Sequence, residues 1–283
     1  IQNALFTPSI YSHIREMVSR EDLAKANGLV HASSILGMLV GALALSALAN
    51  IVFSAEASGT QAFAQASWLL VAMAGAAWLL SYGLPATSQV VSPATFRSSD
   101  YLSLRYLVRN LVLLREQRSI RSALVGLASF WTIAQIFLVA LPALAREVSQ
   151  GTIEIPAPTH LVYAGIGLII GSLLAGRLSR NHLETGIIPF AALGISLLIA
   201  LAPSLQSSTT LGLNAGAIGI LGGLFIVPLN TLIQYHAPQG QLGTISAGRG
   251  WFQAIGMLIG LGIAITFSIG GFNTANLFYT MAL

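Results

Sequence analysis

Asn27, His31 and Ser34 stand at i, i+4 and i+7 in a run that is otherwise apolar. Trp131 and Gln135, Asn230 and Gln234, and Arg249 and Gln253 are each four positions apart in similar surroundings. Residues at three- and four-residue spacing share one face of a helix, so each set lays a polar stripe along an apolar rod. Two kinds of chemistry suit such stripes. One is hydrogen bonding that ties helix to helix; the other is a polar lining around a path for a bound molecule. Taken together, the four stripes favour a lined cavity. Arg249 adds a capability of its own, because a guanidinium binds phosphate bidentately; anchoring one end of a helix is the equal alternative. Among the mid-chain candidates only His31 is of a type that titrates near neutrality, and a histidine hydrogen-bonded to a neighbouring helix fits the same position.

Reaction chemistry is not in view. The chain has no cysteine, and its five histidines, at 13, 31, 160, 182 and 236, show no ligand spacing. There is no HExxH, GxSxG or phosphate-binding loop. The expectation is therefore no catalytic residue, no metal site, no cofactor and no enzyme activity within this chain.

The elements that position the stripes follow from composition. Hydrophobic residues make up 55% of the chain, charged residues only 8%, and mean hydropathy is +0.77. A soluble domain carries about 25% charged residues, so these charges are too few to cover a water-facing surface. Apolar runs near the ~20 residues needed to cross a bilayer as a helix recur along the chain. The expected spans are Ala26 to Phe53, Ala66 to Ala86, Ser122 to Ala145, Thr159 to Leu178, Ile187 to Pro203, Leu211 to Ile233 and Ile245 to Ile269. A partial span covers Ile1 to about His13, and another opens near Phe272. The reading is an all-α membrane protein.

Charge gives the orientation. Six of the charged residues crowd between Arg15 and Lys25 in IYSHIREMVSREDLAKANGL. Assigning connections alternately, one side collects twelve Lys and Arg, and the other only Arg146. Basic loops stay cytoplasmic, which places 14–25, 87–121, 179–186 and 234–244 inside, at a bacterial inner membrane. The net charge of +4 then reports topology, not nucleic acid. Within 87–121, YLSLRYLVRNLVLLREQRSI has the texture of a basic amphipathic helix on the inner membrane surface; for function, a tether between two halves is the preferred reading. No Asp or Glu falls in the middle of a complete span, so a carboxylate proton relay is either outside this chain or not used.

An internal repeat divides the chain. Gly37-Met38-Leu39-Val40-Gly41 recurs as Gly256-Met257-Leu258-Ile259-Gly260, 219 positions on. Pro8 lies 29 residues before Gly37, and Pro228 lies 28 before Gly256. In each copy a proline-containing span ends, a cytoplasmic connection follows and a glycine-rich span returns. Pro8 and Pro228 each remove a helix hydrogen bond and allow a kink. The pairs Gly37/Gly41, Gly167/Gly171 and Gly256/Gly260 allow close helix packing. Parallel repeats entered from one side are the arrangement of two six-helix halves. The expected organisation is 1–86 as the end of the first half, 87–121 as a basic linker and 122–283 as the second half. On that count the chain holds spans four to twelve of a bundle of two pseudo-symmetric halves, with the first half truncated.

These residues carry a resemblance. TPSIYSHIREMVSREDLAKANGLVHASSILGMLVG, with Pro8, Tyr11 and the box Ala26-Asn27-Gly28-Leu29, resembles the fourth-to-fifth span region of bacterial lysophospholipid transporters, a branch of the major facilitator superfamily. GGLFIVPLNTLIQYHAP (222–238) resembles its tenth span and RSALVGLASFW (121–131) the entry to its seventh. GSLLAGRLSRNHLETGIIPFAALG (171–194) is most similar to members fused to an acyltransferase and an acyl-activating ligase. The resemblance implies a major facilitator-type bundle that flips lysophospholipid by alternating access. It also implies membrane lipids as partners, and an acyltransferase or ligase as a domain or partner. The sequence departs from the branch at Ile10, where members often carry Lys, at His31, where they often carry an acid, and around Gln135, where some have a basic residue. The headgroup would lie against Asn27, His31, Gln135, Asn230, Gln234 and Arg249, with Trp131 and Gln253 completing the candidate stripes. An exporter of other amphipathic small molecules and the membrane module of a fused lipid-remodelling enzyme remain the alternatives.

Overall fold

The computed structural model describes residues 10–11, 13–54, 59–83, 117–149, 159–179, 184–238 and 241–282. Helix dominates, and no strand occurs among the described residues. The helices are α1 (Leu23–Ser54), α2 (Gly59–Ser81), α3 (Arg118–Ser149), α4 (Thr159–Leu178), α5 (Ile187–Leu201), α6 (Ser208–His236), α7 (Leu242–Ile269) and α8 (Thr274–Ala282). A short 3-10 turn, Ala202–Ser204, closes α5. Helical turns also cover residues 10–11 and 13–17.

Most helices run a few residues past the apolar run that announced them. α3 begins at Arg118 and α6 reaches His236, because polar residues at the ends of a helix remain in water or at the interface while the backbone ladder continues. Among the described residues, six helices are long and apolar enough to cross a membrane. The remaining expected span, Ala66 to Ala86, corresponds to α2, whose segment Leu70–Ser81 is a shorter apolar helix. Pro8, Glu154 and most of the expected linker, including its amphipathic stretch up to residue 116, lie outside the described residues.

Two compact units divide the described residues, one within Ile1–Ser33 and Val90–Leu283 and the other within Ser34–Gln89. α1 contributes residues to both. In the larger unit the core has two clusters. Ile120, Leu124 and Leu127 of α3 pack with Ile226, Leu229 and Ile233 of α6 and Ile245 of α7. Farther along, Phe137 and Leu141 of α3 meet Ile199 of α5, Leu211 of α6 and Phe278 of α8. The early residues of α3 thus meet the late residues of α6, and the two helices run antiparallel. Outside this core lie large apolar side chains such as Phe190 and Ile269, 76% and 82% exposed. A water-soluble protein does not carry so much exposed apolar surface; hydrocarbon is its natural solvent.

Small residues set the closest approaches. Gly167 and Gly171 of α4 face the backbone of Gly216 and Ile220 of α6, and Gly219 and Gly223 answer from α6 towards Ala164, Gly171 and Ser172. No Cβ fits at these four positions, so the helices touch backbone to backbone. α7 packs on α3 the same way. A Cβ at Gly256 would lie 2.6 Å from the carbonyl oxygen of Ala128, and one at Gly260 would lie 2.5 Å from that of Thr132. Gly37 and Gly41 behave differently: nothing described lies within 4 Å of a Cβ on either. Spacing permits an approach, and only a facing helix makes one.

Candidate functional site

Three polar clusters lie where residues 11–31 meet α4, α6 and α7. The first joins α1 to α6. Asn27 Nδ2 donates to Thr231 Oγ1 and to Gln234 Oε1, each at 3.0 Å, and Gln234 Nε2 donates back to Asn27 Oδ1 at 2.9 Å. The Thr231 hydroxyl passes its own proton to the Val227 carbonyl. All three side chains are buried. A buried amide is tolerated only when its polar atoms are paired, and this reciprocal clasp pairs both groups of each amide. Gly28, one residue on, lies against the backbone of Ser172 and Gly176 of α4. The absence of a side chain there lets α1 come close enough for Asn27 to reach α6.

The second cluster centres on Arg249. Its Nη1 donates to Asn230 Oδ1 at 2.7 Å, and its guanidinium lies over the Tyr11 ring, 3.9 Å from the centroid. The residue is only 4% exposed, and its Nε has no hydrogen-bond partner among the described residues. No described carboxylate pairs with it. Pro228 lies inside α6 just before these groups. It has no N–H to give to Leu224, and Asn230, Thr231 and Gln234 occupy the turns that follow.

In the third cluster, His31 Nδ1 lies 2.9 Å from Ser172 Oγ. The Ser172 hydroxyl already donates to the Leu168 carbonyl at 2.7 Å. A hydroxyl has one proton, so His31 Nδ1 is the donor in this pair.

A fourth set of contacts closes one end. Arg15 Nη1 donates to the carbonyl of Ala237 at 2.7 Å, the residue that caps the C-terminus of α6. A cation there is favoured by the helix dipole. Burial, and secondly the Arg20 cation, lower the Arg15 pKa from the ordinary arginine value. Arg20 lies over the Tyr235 ring at 5.4 Å.

The sequence stripes are therefore brought together in part. Asn27, His31, Asn230, Gln234 and Arg249 join these clusters, but adjacent members of one stripe serve different partners: Asn230 turns to Arg249 and Gln234 to Asn27. Trp131, Gln135 and Gln253 are half-buried on α3 and α7. Trp131 Nε1 is buried without an acceptor among the described residues, and the Gln135 Cβ packs near Gly260. Ser34 is exposed. Tyr11, Arg15, Thr231 and Ser172 were not singled out from sequence as site residues. Tyr11 and Arg15 are four apart, and Thr231 and Gln234 three apart, so a search for helix-face pairs that admitted tyrosine and threonine would have found them.

The chain matches the sequence profile of the Major Facilitator Superfamily over residues 2–261. It belongs to that family. The family match and the membrane-length helices among the described residues make it a multi-pass membrane protein of a transporter family. Among similar proteins is a lysophospholipid transporter, LplT, of Citrobacter koseri, 30% identical over 244 residues, covering 82% of this chain and 55% of the relative. LplT of Escherichia coli O6:K15:H31 is 30% identical over 271 residues, covering 92% of this chain and 62% of the relative. The chain thus spans a little over half the length of these curated relatives. No solved structure matches.

Proposed function

We propose that the protein is a lysophospholipid carrier of the bacterial inner membrane, working by alternating access between two halves, 1–86 and 122–283, joined by the basic linker 87–121. The Arg-rich connections face the cytoplasm. The observation that carries the reading is Arg249, a buried cation with no acid beside it among the described residues, in a family member similar to proteins named lysophospholipid transporters. A phosphate diester is the acceptor this guanidinium lacks. The Asn27–Gln234 clasp, the Arg15 contact to α6 and the Arg20–Tyr235 contact support a closure at the cytoplasmic end, one that opens to release the headgroup inside. A lysolipid delivered there carries a free glycerol hydroxyl, so an acyl transferase is the class of enzyme that consumes it.

The test uses the full-length protein in spheroplasts with labelled lysophospholipid. Expression is expected to speed transfer to the inner leaflet, and Arg249→Ala to slow it at least about tenfold, the worth of one charge-assisted hydrogen bond. No acceleration over empty vector, with protection against a panel of amphipathic compounds instead, would replace the lipid by a drug-like substrate. Unchanged transfer in the Arg249→Ala protein would remove Arg249 from the site.

A further inference from the structure

We infer that the crossing of α1 and α4 at Gly28 and Gly176 is a steric latch: the end of the bundle assigned above to the cytoplasm closes only because neither position carries a side chain. This rests on the alternating-access reading and adds to it the contact that sets the balance between closed and open states.

Both glycines are buried where the two helices meet. A Cβ at Gly28 would lie closer to the Ser172 carbonyl oxygen than 3.0 Å, a separation real Cβ atoms essentially never show, and 3.3 Å from the Gly176 Cα. One at Gly176 would lie 3.1 Å from the Lys25 Cα and 3.3 Å from the Ala24 carbonyl oxygen. These obstacles are backbone, which cannot swing aside as a side chain does. Room for a methyl group at Gly28 therefore comes only from moving α1 away from α4.

That movement reaches the polar contacts. α4 and α6 meet backbone to backbone, from Ala164 and Gly167 against Gly216 and Gly219 to Gly171 and Ser172 against Ile220 and Gly223, so the two helices move as one body. Ser172 lies on their seam. Pushing α1 off Ser172 carries Asn27 away from Thr231 and Gln234, whose bonds to it are 2.9–3.0 Å, and His31 Nδ1 away from Ser172 Oγ at 2.9 Å. Hydrogen bonds weaken as they stretch beyond this range.

The two glycine contacts differ in what parting exposes. Opening the α4–α6 seam would bare backbone along both helices. The α1–α4 crossing is short, with Lys25, Gly28 and His31 set against Ser172 and Gly176, and Lys25 at its edge is exposed. The amides and hydroxyls beside it exchange each other for water at small net cost. A short crossing flanked by such pairs parts and re-forms; the longer seam does not.

The experiment measures distances between two spin labels by double electron–electron resonance, on the full-length protein in lipid nanodiscs. The labels go on Glu21→Cys and Leu178→Cys, both at exposed positions near the crossing, in an otherwise cysteine-free background. Wild type is expected to show a short- and a long-distance population. Gly28→Ala is expected to lower the short-to-long ratio at least about tenfold, and Gly176→Ala, which meets a milder obstacle, to lower it by less. Both should keep a near wild-type thermal unfolding midpoint, since alanine is the better helix former, whereas Gly167→Ala in the α4–α6 seam lowers it. A wild-type ratio in folded Gly28→Ala overturns the latch and leaves the carrier reading standing. Should Gly28→Ala not fold, Gly176→Ala decides: a shift to long distances upholds the latch, and a wild-type ratio assigns the crossing to the static core and overturns it. A single wild-type distance, with and without lysophosphatidylethanolamine, overturns the alternating-access reading itself.

Discussion

Gly37-Met38-Leu39-Val40-Gly41 and Gly256-Met257-Leu258-Ile259-Gly260 are nearly the same sequence, yet their glycines have different surroundings. Gly256 and Gly260 lie against the carbonyls of Ala128 and Thr132 on α3, whereas a Cβ added at Gly37 or Gly41 would have nothing described within 4 Å beyond its own helix turns. α1 repeats the contrast within one helix. Its first turns carry Asn27, Gly28 and His31, which are bonded or packed to α4 and α6; two turns later the glycines are open. A small-residue motif therefore grants permission for close packing, and a facing helix decides whether it is used.

The sharpest way to break the comparison is to fill both glycines of each copy. Gly256→Leu with Gly260→Leu should cost about 3 kcal/mol or more, because backbone carbonyls of α3 cannot move aside as a side chain would. Loss of the folded fraction in a detergent unfolding titration would register it, and a stability equal to wild type would show that α7 does not pack on α3 this way. Next in size is Asn27→Ala. It strands Gln234 and Thr231 in a buried place and should cost about 1–3 kcal/mol. Gln234→Ala should cost a similar amount, and the double substitution clearly less than the sum, because both remove one clasp; strict additivity in the same titration would mean the two amides do not meet. Smallest is Gly37→Ala with Gly41→Ala. With nothing described in the way, the pair should be neutral or stabilising by up to about 1 kcal/mol through helix propensity. A large loss of stability there would reveal a packing partner that the described residues do not include.

Much of the fold was legible before any coordinates. The spans followed from apolar length, since backbone polar groups in hydrocarbon must be satisfied within a helix. α4 was delimited at Thr159 to Leu178 from sequence and is observed there. Helix ends were less legible: α3 starts at Arg118, before the apolar run, because helix formation does not stop where hydrophobicity does. The site was legible as residue types on faces, not as partners. Periodicity put Asn230 and Gln234 on one stripe, but four residues turn a helix by about 400°, so the two point some 40° apart and reach different neighbours. Tyr11 was visible as part of a motif and invisible as a cover for Arg249, since that contact joins residues 238 positions apart.

What the sequence determined by itself is the solvent: too few charges for water, and polar residues confined to stripes and turns. That follows from transfer free energies, which are sums over local composition. Which stripe faces which was decided only by tertiary structure. Asn27 with Gln234, Arg249 with Asn230 and Tyr11, and the filled against the open glycine pair all depend on where another helix stands, and a single chain's periodicity carries the angle of a side chain about its own axis but not the identity of what lies across from it.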